Sequence, residues 1–322
     1  MLPVPMSESQ VVVSLHTSNH QSLWKAAVKW PMYTVALMPI LIVVGWLNSQ
    51  RIAIRIDQVL EFILAAVLLL AWENLTNDVF DADTGVDIHG KPHSLVNISG
   101  SRNMIALVSN GVLILGLTIV IIMAYKSSFQ VLWLILACCG LGYLYQGPPF
   151  RLAYHGLGEP LCWLAFGPFA TSAALMALIP VSELSKIPWS SAFELSSGPA
   201  LATTLVLFCS HFHQVEEDSI YGKHSPIVQL GTAKASTLIP WFVALTFAFE
   251  WWPILTGAWP LTGLLSILGL PTGITLIRLL RDHHNDPERT INSKFLALRF
   301  QALNGFGLVF GLSAGVFFTI GQ

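Results

Sequence analysis

Residues 73–87 read E-N-L-T-N-D-V-F-D-A-D-T-G-V-D and follow directly on the apolar run F-I-L-A-A-V-L-L-L-A-W. Four aspartates and one glutamate therefore crowd into fifteen positions, at the end of a stretch long enough to cross a bilayer. Asp78 and Asp81 are three apart and share one face if the helix continues, with Asn74 one turn before Asp78. Asp87 follows T-G-V, where Gly85 allows the chain to fold back. Grouped carboxylates and amide oxygens suit a hard divalent cation. Magnesium takes one or two carboxylates, keeps several waters and shares the oxygens of a bound phosphate. A merely solvated helix end is the weaker reading, because ionisable groups at the end of a span are costly and usually functional.

Residues 90–103, G-K-P-H-S-L-V-N-I-S-G-S-R-N, add donors without matching acids: Lys91, His93, Ser94, Ser101 and Arg102. Beside a metal they could hold phosphate oxygens, the lysine as a point charge and the arginine bidentately. A positive cytoplasmic loop accounts for Arg102 equally well. The segment H-F-H-Q-V-E-E-D-S-I-Y-G-K-H-S-P at 211–226 repeats the layout, with Glu216, Glu217 and Asp218 followed by Gly222 and Lys223. Asp218 lies 137 residues beyond Asp81. Twin acidic helix ends on one membrane face suit a diphosphate held between two metal-ligand sets. His211 and His213, just inside the span, read as structural rather than as ligands.

Composition sets what must position these groups. Of 322 residues 54% are hydrophobic and 11% charged, and the mean hydropathy is +0.64. A soluble domain carries about 25% charged residues, so the chain reads as an all-α, multi-spanning membrane protein. Hydropathy gives about nine spans in one bundle, near 31–48, 59–78, 104–124, 130–146, 159–180, 199–217, 236–255, 259–281 and 301–320. An N-terminal segment, 1–30, precedes one transmembrane domain, 31–322. With the N-terminus cytoplasmic, 12 basic residues face the cytoplasm and 4 (Arg51, Arg55, Lys126 and Lys186) face the other side. Both acidic clusters then lie on the cytoplasmic face. Residues 1–30 show neither a cleavable signal nor a transit peptide. The four cysteines, Cys138, Cys139, Cys162 and Cys209, sit in apolar runs and read as small buried hydrophobes, not as a disulfide or zinc framework. No nucleic-acid partner is expected.

Asn74-x3-Asp78-x2-Asp81-x5-Asp87, with Asp218-x3-Gly222-Lys223, resembles the UbiA-type intramembrane prenyltransferases over nearly the whole chain. The aspartate spacing, G-K-x-S-P-x-V-x-L-G-T at 222–232, K-P-H-S-L-V-N at 91–97 and Y-Q-G-P-P-F-R-L-A-Y-H-G-L-G-E at 145–159 are similar to the branch that prenylates 1,4-dihydroxy-2-naphthoate, as the phytyltransferases of cyanobacteria and plastids do. The second motif departs from the family: Gln214 stands where an aspartate is usual. Gln214 and Asp218 would still share a helix face, with Glu217 adjacent.

The resemblance implies a Mg²⁺-dependent enzyme in a bacterial inner or thylakoid membrane. Its substrates would be an isoprenyl, here phytyl, diphosphate and an aromatic naphthoate, in phylloquinone or menaquinone synthesis. It implies metal ligation by Asp78, Asp81, Asp87, Glu217 and Asp218, catalysis by the three aspartates of the first motif with Lys91 and Lys223, and substrate contacts from Asn74, Asn77, Lys91, Arg102, Gln214 and Lys223. Arg151 is the candidate partner of the aromatic carboxylate, and Tyr143 and Tyr145 are candidates for the aromatic pocket. Plain orientation and interfacial roles remain open for these three. Rival acceptors are homogentisate, 4-hydroxybenzoate or a chlorophyllide. An ion-coupled transporter would carry its acids near mid-membrane, and a non-catalytic subunit would need no acid-plus-lysine pairs. The stripe Gly307, Gly311, Gly315 predicts close packing within the chain in preference to dimerisation.

Overall fold

The computed structural model describes residue 23 and residues 30–85, 94–183 and 186–318. Among these residues every regular element is helical, as the lipid environment demands of spans that must satisfy their own backbone groups. Nine long helices run back and forth. They are α1 (Tyr33–Ser49), α2 (Ile56–Thr84), α3 (Arg102–Lys126), α4 (Phe129–Gln146), α5 (Gly158–Leu178), α6 (Trp189–Ser210), α7 (Ile239–Leu255), α8 (Leu261–His283) and α9 (Ser293–Phe318). Eight of them have the length and hydropathy of membrane spans, some with short flanking turns, and α1 is an apolar helix of 17 residues. The nine expected spans therefore correspond to nine helices. The sixth begins ten residues, nearly three turns, earlier than its hydropathy suggested.

Alternation places the C-terminal ends of α2, α4, α6 and α8 and the starts of α3, α5, α7 and α9 on one face. Both acidic clusters are there. Arg51, Arg55, Lys126 and Lys186 are on the other, where Arg55 donates to the carbonyl of Lys126 (2.7 Å) and Lys126 pairs with Glu61. All but two residues of the N-terminal segment 1–30 lie outside the described residues.

Two helices depart from regular α geometry. In α5 the stretch Ala165–Phe169 widens around Gly167 and Pro168, and Gly167 lies so close to Ala200 of α6 that a Cβ would stand 2.9 Å from it. The first part of α8, Leu261–Gly269, is a 3-10 helix. It lies against the glycine stripe of α9: a Cβ on Gly307 or Gly311 would run into the carbonyl of Leu265 or Thr262, and Thr262 Oγ1 donates to the carbonyl of Gly311 (2.5 Å). The stripe is thus consumed inside the chain. Gly311→Leu is expected to destabilise the protein by ~1–3 kcal/mol through overpacking, seen as a lowered Tm in detergent. Phe310→Leu, on the exposed side of the same helix, should leave Tm unchanged.

Candidate active site

α2 continues unbroken through Asp78 and Asp81 to Thr84, so both carboxylates sit on the helix the sequence assigned them. It stops at Gly85, whose φ of 80° lies in the left-handed region and whose N–H bonds to the carbonyl of Asp81 (3.0 Å). Glycine at this position meets no Cβ penalty. Asp78 and Asp81 are 2% and 1% exposed. The chain returns at Leu95–Ser99, a short helix whose first residue donates its N–H to Asp78 Oδ2 (2.9 Å). Asp87 and Lys91 lie outside the described residues.

The second acidic end is built differently from its expectation. α6 stops at Ser210, the path tightens to 3-10 geometry over Phe212–Gln214, and a new helix runs Val215–Ile220. Gln214 is the residue that caps the start of this new helix, four positions before Asp218. The break brings His211 Nδ1 to 3.0 Å from Asp218 Oδ2. Gly222, at φ 72°, reverses the chain, so that the Lys223 N–H reaches the carbonyl of Asp218 (2.7 Å) and Lys223 Nζ stands 3.6 Å from Asp218 Oδ1. Asp218, His211 and Lys223 are all buried. Glu216 is exposed, whereas Glu217 is half-buried and its Oε1 has no hydrogen-bond partner.

Tyr154, on the turn Leu152–His155, ties the two ends together. Its hydroxyl is 2.9 Å from Thr84 Oγ1 at the end of α2, its carbonyl accepts from His224 (2.9 Å), and its ring faces Lys223 Nζ at 5.9 Å and the Arg151 guanidinium at 5.8 Å.

Beneath these ends lies a mainly apolar cavity of ≈ 250 Å³. α1, α2, α4, α5 and α6 wall it, with Lys294 from the first turn of α9. Asn74, Asn77 and Tyr145 line it, as do Cys138, Cys139 and Cys162, and all four cysteines are free thiols. The other expected substrate contacts lie elsewhere. Arg102 is held bidentately by Asp83 (2.7 Å for each bond) at an exposed position. Tyr143 donates its hydroxyl to the carbonyl of Pro148 (2.6 Å) and packs edge-on against Phe80. Arg151 faces Tyr154, and neither Arg151 nor Gln214 lines the cavity.

Reasoning from sequence missed several groups. Glu73 and Lys294 line the cavity; the first adjoins the acidic motif, and the second lies far from both motifs in the sequence. Glu159, buried at the start of α5, has neither carboxylate oxygen hydrogen-bonded. Glu250, fully buried within α7, accepts from Asn304 Nδ2 (2.9 Å) and packs against Gly198. It does not line the cavity and is held by the Asn304 amide.

Among the described residues no three His, Cys, Asp or Glu side chains converge closely enough to enclose a metal. Each end instead offers buried carboxylate oxygens, and Glu217 Oε1 is left over. Such a set fits magnesium, whose coordination is commonly completed by waters and substrate phosphate oxygens.

A helical membrane bundle whose paired acidic ends cap an apolar cavity defines a class, and the chain belongs to the UbiA prenyltransferase family, whose pattern it matches over residues 36–302. Its relatives narrow the field. The chain is 39% identical to the 2-carboxy-1,4-naphthoquinone phytyltransferase of Synechocystis sp. over 310 residues, covering 95% of this chain and 98% of that one. It is 38% identical to the chloroplastic 2-carboxy-1,4-naphthoquinone phytyltransferase of Arabidopsis thaliana over 293 residues, 90% and 76% of the two chains. The fold is similar to that of a digeranylgeranylglyceryl phosphate synthase (TM-score 0.60, 18% identity, 92% and 99% covered). It is also similar to a UbiA homolog from Archaeoglobus fulgidus bound to GPP and Mg²⁺ (TM-score 0.55, 14% identity, 89% and 99% covered).

These positions generate a test of the second ligand set. Glu217→Gln is expected to raise the magnesium needed for half-maximal activity about tenfold, the scale of a lost ligand or its support. Gln214→Ala should change it by less than about threefold, within the noise of an indirect contact. A magnesium titration of both variants decides between them.

Proposed function

We propose that the protein transfers a phytyl group from phytyl diphosphate to 1,4-dihydroxy-2-naphthoate, with loss of CO₂, using Mg²⁺ at the cytoplasmic face of the membrane. One observation carries this reading: two buried acidic helix ends, tied together through Tyr154, stand over an apolar cavity lined by Asn74, Asn77 and Tyr145. The names of the relatives at 39% and 38% identity support the donor and the acceptor. A quinone ring is too electron-poor to attack an allylic cation, which favours the reduced, dihydroxy form as the reacting species.

Asp78, Asp81 and Asp87 on one side, and Asp218 with Glu217 on the other, would hold the metal. When bound, magnesium neutralises negative charge that develops on the departing diphosphate. Lys223 stands beside Asp218 with its ammonium buried, so its charge acts in a medium where it is poorly screened, and Lys91 adds a second cation by the resemblance. His211 holds the Asp218 carboxylate from behind. Asn77, adjacent to Asp78, and Asn74, four residues before it on α2, can donate amide hydrogens to phosphate oxygens. The apolar walls keep water from the allylic carbon until the ring attacks. Attack at the ring carbon bearing the carboxylate forms the new carbon–carbon bond, and departure of CO₂ returns its electron pair to the ring.

Asp81→Asn is expected to reduce kcat by more than about 1,000-fold, ~4 kcal/mol of barrier, with Tm unchanged, because one carboxylate is lost without a change of shape. Carboxyl-labelled dihydroxynaphthoate should release one CO₂ per phytyl group transferred, with no lag between the two events. Label retained in the prenylated product would place attack at a neighbouring carbon and assign the enzyme to a hydroxybenzoate-like acceptor.

A further inference from the structure

Glu73 is a carboxyl in the cavity with no part in holding the diphosphate. It lies four and eight residues before Asn77 and Asp81, so the three share one ridge of α2. At about 1.5 Å per residue it sits ~12 Å beneath Asp81 along the helix axis. It lines the cavity, as do Leu69, Cys138, Cys139 and Tyr145. Gly142 of α4 leaves room for it, since a Cβ on that glycine would run into the Glu73 carboxylate. The diphosphate would repel this group and the isoprenyl tail would offer it nothing. A phenolic hydroxyl answers it well: a neutral donor to an anionic acceptor makes a short, strong hydrogen bond. Lys294 faces the same cavity from α9 and supplies a cation for an aromatic carboxylate.

We infer that Glu73 accepts the hydrogen bond of a ring hydroxyl on the aromatic acceptor while Lys294 faces that acceptor's carboxylate, making this part of the cavity the acceptor subsite. The inference rests on the aromatic-prenylation reading above. A hydroxyl bonded to a carboxylate gives more electron density to its ring, where the new bond forms, so the contact serves orientation and reactivity together.

The test uses the purified full-length protein, with KM measured separately for dihydroxynaphthoate and phytyl diphosphate. Glu73→Leu should raise the acceptor KM by about tenfold or more, the scale of a lost hydrogen bond to a charged group. The donor KM should stay within about twofold, since the contact removed is made to the acceptor. Glu73→Gln, which keeps an acceptor oxygen, should lie between. Gly142→Ala keeps the carboxyl in the sequence but displaces it, and should reproduce the acceptor-specific rise. Monomethyl ethers of the acceptor complete the cycle. Methylation of the bonded hydroxyl should cost the wild type what Glu73→Leu costs, and should cost that variant nothing more. An unchanged acceptor KM in Glu73→Leu and Gly142→Ala, a rise confined to the donor, or penalties that simply add would overturn the assignment. If the wild type rejects dihydroxynaphthoate but prenylates another hydroxyaromatic acid, the naphthoate reading fails. The Glu73 comparison then runs on that acid with the same deciding outcomes.

Discussion

Carboxylates gathered at the rim of an apolar bundle repel one another. Two like charges 4 Å apart cost ~4 kcal/mol at an effective dielectric of about 20, and unpaired burial costs several kcal/mol more. The architecture of this end of the bundle is the answer to that repulsion. Asp218 is met by Lys223 and His211, Asp83 by Arg102, and Asp78 by the backbone N–H of Leu95. Each compensating group comes from the chain within twenty residues of its acid, brought back by a turn. For this reason the helices end in left-handed glycines at 85 and 222 instead of running on. Tyr154 then fixes the distance between the two ends by binding Thr84 on one side and facing Lys223 on the other.

Below that charged layer the demands invert. A cavity that must shelter an electron-deficient carbon has to be dry, and its walls are largely aliphatic and aromatic, with three thiols that behave as small hydrophobes. Most polar groups in it come from the last three turns of α2, the ends of α4 and α6 and the first turn of α9, with Thr203 deeper on α6. Polarity thus falls with depth, which sorts a diphosphate ester by its own amphipathic character, head toward the acids and tail toward lipid.

Much of this was legible from residue order. Nine apolar stretches became nine helices, both acid-then-glycine segments became buried helix ends, and the α9 glycines met their partner inside the chain. What escaped had tertiary causes. Nothing in H-F-H-Q announces a 3-10 turn; it exists because His211 reaches Asp218 seven residues on. Arg102 looked available because Asp83, nineteen residues earlier, meets it only once α2 and α3 pack. The polar start of α6 hid ten helical residues, as Ser196 and Ser197 are buried inside the bundle and Ser197 returns its hydroxyl to the carbonyl of Phe193. Glu73 and Lys294 carried no periodic signal at all, since only packing decides which charged residue near a helix end turns inward.

The 3-10 stretch at the start of α8 has a consequence for the fit between protein and bilayer. Nine residues in that geometry rise ~18 Å at about 2.0 Å each, against ~14 Å in an α-helix. Its slimmer cylinder lets α9 approach through its glycines, and its extra reach carries Pro260 farther toward the interface than an α-helix of the same composition would. Were the stretch to relax to α geometry, the span would shorten by ~4 Å of a hydrocarbon layer about 30 Å thick. The bilayer would then have to thin or the helix to stand more upright. Membrane thickness would thereby bear on the register between α8 and α9.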